Sequence, residues 1–78
     1  MKVVECVPNF SEGRRKDVID EIANAIRSAG VEILDVESNE VHNRCVITFI
    51  GGIDEAHEAA FRGAERAAEL IDLNKHEG

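Results

Sequence analysis

Apolar and polar residues alternate along the chain with two different periods, which together predict three strands and two helices. Residues 2–7 are short, β-branched and apolar, and they stop at Pro8, so they predict a strand. Residues 31–38 and 44–52 predict a second and a third strand. The polar segment 39–43 joins these two strands as a hairpin with a loop longer than a tight turn.

Two other segments carry apolar residues at helical spacing. Residues 15–28 predict the first helix, which Ser11 or Gly13 is expected to cap and Gly30 is expected to end in a left-handed conformation. Residues 53–72 predict the second helix. Its expected buried stripe is rich in alanine and consists of Ile53, Ala56, Ala60, Ala64, Ala67 and Ile71.

The order of these elements predicts an α+β fold of the ferredoxin-like split β-α-β type, βαββα, without the final strand of that fold. A right-handed crossover and a hairpin give a three-stranded antiparallel-type sheet of order 1-3-2, with two helices on one face. Both faces of the predicted strands carry apolar residues, although the helices can cover only one of them. An uncovered face and an open edge therefore predict a partner, either a second subdomain or a second copy in a homo-oligomer.

Composition limits the function. With 44% apolar and 32% charged residues, the 78 residues predict one small folded domain. A net charge of −7 argues against a nucleic-acid partner, and no apolar run is long enough for a membrane span. Without a recognisable signal peptide, the expected location is cytoplasmic. Cys6 and Cys45 lack metal-ligand spacing, so we expect small buried apolar residues and no metal site.

The segment "PNFSEG" contains the first candidate site, because it lies between a strand and a helix start. Free backbone N–H groups and the helix dipole can attract an anion there. The residues expected to face a ligand are Asn9, Ser11, Glu12 and Gly13. The alternative is an ordinary strand-to-helix turn with Ser11 as its cap.

Four motifs in order resemble one family. They are "VECVPNFSEGR" at 4–14, "ILDVE" at 33–37, "NR" with a later "TF" and Gly within 43–51, and "AAELIDLNKHEG" at 67–78. Together they resemble the N-terminal subdomain of the glutamate formimidoyltransferase (formiminotransferase) family. Because the motifs span nearly the whole chain, the resemblance identifies residues 1–78 as part of such a subdomain.

The resemblance implies transfer of a formimino group from N-formimino-L-glutamate to tetrahydrofolate in histidine degradation. Tetrahydrofolate would be a co-substrate, bound in a cleft between two ferredoxin-like subdomains. In the family, the stretch like residues 74–78 runs into Glu-His-Pro-Arg, whose histidine is the expected general base. No catalytic residue is therefore expected within these 78 residues, and the isolated chain is expected to be inactive. The alternative is a non-catalytic folate- or carboxylate-binding module, or a dimerisation module, derived from that family.

The resemblance also adds three residues to the expected binding site. Glu37 stands where the family usually has an aspartate near the catalytic histidine, and its alternative is a solvated strand end. Asn43 and Arg44 match the family's "NR", and Arg44 can bind a carboxylate through two hydrogen bonds. The alternative for Arg44 is a surface ion pair. The three histidines are expected to be solvated or at a chain end: His42, His57 and His76.

Overall fold

Six elements follow one another along residues 2–71, the part of the chain that a computed structural model describes. Their order and bounds are β1 (Val4–Cys6), β2 (Asn9–Phe10), α1 (Lys16–Arg27), β3 (Glu32–Asn39), β4 (Arg44–Gly51) and α2 (Ile53–Leu70). β4 lies in the centre of the sheet and pairs antiparallel with β3 on one side and with β1 and β2 on the other. The predicted α+β class and the central position of the third predicted strand are confirmed.

The first strand was predicted to stop at Pro8, but the chain rejoins the sheet after the proline as β2, so the sheet has four strands and not three. Ile47 donates its N–H to the Pro8 carbonyl at 3.1 Å, but Pro8 has no N–H to donate in return. The register is the same on both sides of the break, because Cys6 lies opposite Phe49 and Asn9 lies opposite the residue three positions earlier on β4. β1 and β2 therefore form one edge of the sheet with a single gap at the proline.

Both helices cover the same face of the sheet, as predicted. On β4 the covered residues are fully buried, and they are Cys45, Ile47 and Phe49. The alternating residues of β4 are half-buried on the opposite face, and they are Val46, Thr48 and Ile50. The side chains of Val3 and Val7 are 60% and 51% exposed. Within residues 2–71, no helix is both long and apolar enough to cross a membrane.

The stripe of α2 that faces the core matches the prediction only in part. Ala56, Ala67 and, just past the helix, Ile71 are buried as predicted. The buried residues of the helix are Ala56, Ala59, Gly63 and Ala67, whereas the predicted Ile53, Ala60 and Ala64 are exposed. A Cβ atom on Gly63 would lie 2.8 Å from Cγ1 of Ile26, which is fully buried on α1. The helices therefore approach closely where α2 presents its smallest residue, and this contact sets the rotation of α2.

The end of α1 agrees with the prediction. Gly30 has a φ of 91° and donates its N–H to the Arg27 carbonyl at 3.0 Å, so the left-handed residue ends the helix as expected.

Candidate functional site

The loop between β2 and α1 is built around the carboxylate of Glu12, which is 2% exposed. It accepts the backbone N–H of Arg15 at 2.9 Å and of Arg14 at 3.1 Å, and the Nε–H of Arg15 at 2.7 Å. The N-cap of α1 is Arg15, without a side-chain capping bond. The prediction that Ser11 or Gly13 caps the helix is therefore wrong, because Glu12 bonds the N–H groups just before its first turn.

These contacts keep the buried carboxylate ionised. Burial acts to raise the pKa of Glu12, but the hydrogen bonds from Arg15 and Arg14 and the charge of Arg15 outweigh it and lower that pKa. Burial and the nearby charge of Glu12 raise the pKa of the Cys45 thiol. Cys45 is a buried free thiol, as predicted, and Cys6 is a half-buried free thiol.

Gly13 and Asn43 hold this loop against the turn before β4. The Gly13 N–H donates to Oδ1 of Asn43 at 2.9 Å, and Asn43 is buried with a φ of 51°. A Cβ atom on Gly13 would lie 2.3 Å from the Asn39 carbonyl oxygen and 2.5 Å from the Arg44 nitrogen. The "PNFSEG" and "NR" motifs, distant in sequence, are therefore in direct contact.

A groove of about 330 Å³ lies beside this contact on the uncovered side of the sheet. Its lining residues include Asn9, Glu37, Ser38, His42, Arg44 and Val46. Asn9 and Glu37 both lie opposite Val46, one on each neighbouring strand. The structure thus brings three of the predicted site residues together at one end of the uncovered face.

The other four predicted site residues lie elsewhere. Glu12, Gly13 and Asn43 are buried, and Ser11 is exposed beside a second groove between β2 and α2. Their roles in ligand binding stay predictions. Sequence reasoning did not select Ser38 or His42 for the first groove. Only the pairing of β3 with β4 brings them there, and residue spacing does not specify that register. His57 is exposed, as expected, and His76 lies outside the described residues.

Arg44 is the cation of the groove. Within residues 2–71 neither Arg44 nor Glu37 takes part in an ion pair, whereas Arg15, Arg62 and Arg66 each bond a carboxylate. An exposed guanidinium that pairs with no carboxylate of the described residues can bind a ligand carboxylate through two parallel hydrogen bonds. The described part of the chain holds no group of three or more His, Cys, Asp or Glu side chains that could bind a metal ion.

The fold and the groove define a class of protein, namely a ferredoxin-like α+β subdomain with one face of its sheet uncovered and a groove containing Arg44 at the end of that face. The family model described as "Formiminotransferase domain, N-terminal subdomain" matches residues 3–78, and the chain belongs to this family. The resemblance found in the sequence is therefore confirmed.

Curated relatives align with the whole chain. A glutamate formimidoyltransferase from Thermoplasma acidophilum is 53% identical over 79 residues, covering 100% of this chain and 26% of the relative. A protein of the same name from Streptococcus pyogenes is 46% identical, with 99% of this chain and 26% of the relative covered. A formimidoyltransferase-cyclodeaminase from Dictyostelium discoideum is 49% identical, with coverage of 99% and 14%. The chain therefore spans about a quarter or less of the length of these relatives.

Proposed function

We propose that this chain is the N-terminal part of a formimidoyltransferase that moves a formimino group from N-formimino-L-glutamate to tetrahydrofolate in histidine degradation. The observation that carries the proposal is the alignment of the whole chain with relatives named glutamate formimidoyltransferase. Because the chain matches only 26% of those relatives, further polypeptide is needed for transfer. The isolated 78 residues do not transfer the formimino group.

The transfer defines what a binding site must supply. A folate nitrogen forms a bond to the formimino carbon, the bond from that carbon to the glutamate nitrogen breaks, and one proton passes from the folate nitrogen to the glutamate nitrogen. Both substrates carry carboxylates, which need cationic or N–H partners. Proton transfer needs a base, and none of the residues in the groove is assigned that role.

Within this reaction the groove supplies recognition. Arg44 binds a substrate carboxylate, and Asn9 adds an amide donor on the neighbouring strand. Gly13 and Asn43 hold the turn from which β4 begins, so they fix the backbone that carries Arg44. Glu37 contributes a carboxylate across β4 from Asn9, close enough to the same groove to orient an incoming basic group.

Replacing Arg44 by glutamine is expected to weaken substrate binding. The measurement is steady-state kinetics of these 78 residues fused to the remainder of the Thermoplasma acidophilum relative. A charge-assisted hydrogen bond contributes about 1.5–3 kcal/mol, so KM for one substrate should rise roughly 10- to 150-fold. kcat should change little, because the guanidinium binds the ground state and transition state alike.

Arg62→Gln is the matched control, since Arg62 is an arginine of α2 that pairs with Glu58. It should leave both KM values within about twofold. If Arg44→Gln leaves both KM values unchanged, Arg44 does not recognise substrate. If the fusion shows no transfer although it is folded, the proposed activity itself is wrong.

The same groove supports a second candidate, a non-catalytic module that binds folate or another carboxylate. The observation that favours it is Arg44, because recognition of an anion by a guanidinium requires no base. Titration of the isolated chain with tetrahydrofolate distinguishes the two candidate functions. The binding module is supported if the isolated chain binds tetrahydrofolate, the Arg44→Gln variant does not, and the folded fusion shows no transfer.

A further inference from the structure

A groove of about 610 Å³ lies between α1 and the edge strand β3, and we call it the helix-side groove. α1 lines it from Lys16 to Arg27, a length of about 16 Å at roughly 1.5 Å per residue. β3 lines it with Val36, which lies opposite the fully buried Ile47 of β4. Directly opposite residues of a strand pair share one face of the sheet. The helix-side groove is therefore on the side that the helices cover, away from the groove that contains Arg44.

Three cations line the helix-side groove, and they are Arg14, Lys16 and Arg27. Within residues 2–71 none of them takes part in an ion pair. The groove also contains the carboxylates of Asp20 and Glu40, so its lining carries three positive charges and two negative ones. The whole chain has a net charge of −7. A local excess of positive charge on so acidic a chain favours an anionic ligand at this place.

The positive charge is concentrated at one end of the groove. Arg14 and Lys16 lie there, close together in sequence, whereas Arg27 lies at the opposite end of α1. Arg14 donates its Nε–H to the Glu40 carbonyl at 2.9 Å, which holds the guanidinium at the groove and leaves its Nη groups for a ligand. A phosphate monoester carries nearly two negative charges at neutral pH and can contact both cations at once.

The floor of the groove is apolar. Val36 is 41% exposed although it lies on the covered side of the sheet, because α1 does not extend over it. Ile19 and Ala23 of α1 continue this apolar lining beside it. Small-molecule sites typically have volumes of about 300–1,000 Å³ and combine an apolar lining with a few polar groups. The helix-side groove meets both conditions, and its exposed valine favours a ligand with an apolar body.

We propose that the helix-side groove binds a small phosphate ester with an apolar or aromatic body. The phosphate contacts Arg14 and Lys16, and the body packs on Val36. None of these three residues lines the groove that contains Arg44, so this is a second ligand site and goes beyond the proposed transfer. Its tests measure binding and not transfer, and they succeed or fail independently of the proposed activity.

The first test is a titration of the 78-residue chain with 1-naphthyl phosphate, followed in two-dimensional ¹⁵N–¹H spectra. The largest shifts should fall on amides of residues 14–27 and 36–40. Inorganic phosphate lacks the apolar body and 1-naphthol lacks the charge, so each should bind at least about fivefold more weakly. 1-Naphthoate carries a single charge and should bind about threefold more weakly than the phosphate ester.

The second test compares variants in the same titration. K16Q/R27Q should weaken binding of 1-naphthyl phosphate about fivefold or more, and it leaves the bond between Arg14 and the Glu40 carbonyl in place. The control R44Q/R62Q removes the same number of charges outside the groove and should bind within about twofold of wild type.

A third variant tests the apolar floor. Val36→Thr replaces one methyl group by a hydroxyl group and should weaken binding of 1-naphthyl phosphate about two- to fourfold, with no effect on inorganic phosphate.

Four results would overturn the inference. They are shifts confined to residues outside the helix-side groove, equal binding of 1-naphthyl phosphate and 1-naphthol, equal binding of the phosphate ester and 1-naphthoate, and unchanged binding in the folded K16Q/R27Q variant.

Discussion

Replacing Gly13 by alanine is expected to remove a large share of the stability of the chain. The new Cβ atom would lie 2.3 Å from the Asn39 carbonyl oxygen and 2.5 and 2.6 Å from the nitrogen and oxygen of Arg44. All three are backbone atoms at the ends of β3 and β4, so no side-chain rotation relieves the clash. The expected loss is about 3 kcal/mol or more, out of a total of roughly 4–10 kcal/mol for a domain of this size. Urea denaturation followed by circular dichroism measures it.

Gly52→Ala is the matched control. At Gly52 the nearest atoms to a new Cβ belong to the carboxylate of Glu55, an exposed and flexible side chain. Gly52 is also the N-cap of α2 with a φ of −64°, which alanine adopts readily. The expected cost is about 1 kcal/mol or less. Equal stability of the two variants would show that the loop and the turn before β4 are not packed as described.

Replacing Glu12 by glutamine is expected to destabilise the chain by about 2–3 kcal/mol at pH 7, since hydrogen bonds to a charged group contribute about 1.5–3 kcal/mol. The carboxylate accepts three hydrogen bonds from Arg14 and Arg15, and Arg15 also donates to the Leu70 carbonyl at 3.4 Å. The loss therefore affects the start of α1 and its link to the end of α2. Denaturation of both proteins at pH 7 measures the difference in their free energies of unfolding.

The control Glu58→Gln removes a carboxylate from an exposed ion pair with Arg62 and should cost less than about 0.5 kcal/mol. The pH dependence gives a second check on Glu12. Because its pKa is lowered on folding, its stabilisation is complete above the ordinary value of 4.5 and disappears as the pH falls through the folded value. The difference in unfolding free energy between wild type and Glu12→Gln should therefore shrink as the pH falls below 4.5. A constant difference from pH 7 to pH 3 would contradict the assigned role of the ionised carboxylate.

Most helices and strands, and the order of the strands in the sheet, could be predicted from the sequence, because local signals specify the individual elements. The helical spacing in α1, the β-branched runs of β3 and β4, and Gly30 are all local signals. Pro8 was also a local signal, but its effect was overestimated. The strand resumes after the proline in the same register, since only one N–H is lost from the ladder.

The rotation of α2 was not predictable from spacing alone. A stripe through Ala60 and Ala64 is as apolar as one through Ala59 and Gly63, and glycine is not counted as apolar in such patterns. The choice between them depends on how closely Ile26 of α1 approaches, and that is a property of the packed pair of helices.

The candidate site shows the same division between local and tertiary information. Asn9 could be selected because its segment lies between a strand and a helix start, whereas Glu37 and Arg44 were selected from the resemblance to the family. All three meet in one groove. The structural role of Glu12 was missed because a carboxylate just ahead of a helix is equally compatible with a ligand-binding loop and with hydrogen bonds to the loop's own backbone. Only its burial and its three hydrogen bonds distinguish the two.

Turnover of N-formimino-L-glutamate and tetrahydrofolate tests most directly whether the uncovered face of the sheet and its groove form half of a transferase site. The assay compares the folded 78-residue chain with the same residues fused to the remainder of the Thermoplasma acidophilum relative. The expected result is transfer by the fusion and none above background by the chain alone. Transfer by the chain alone would contradict the account, because the groove would then need no further polypeptide to act.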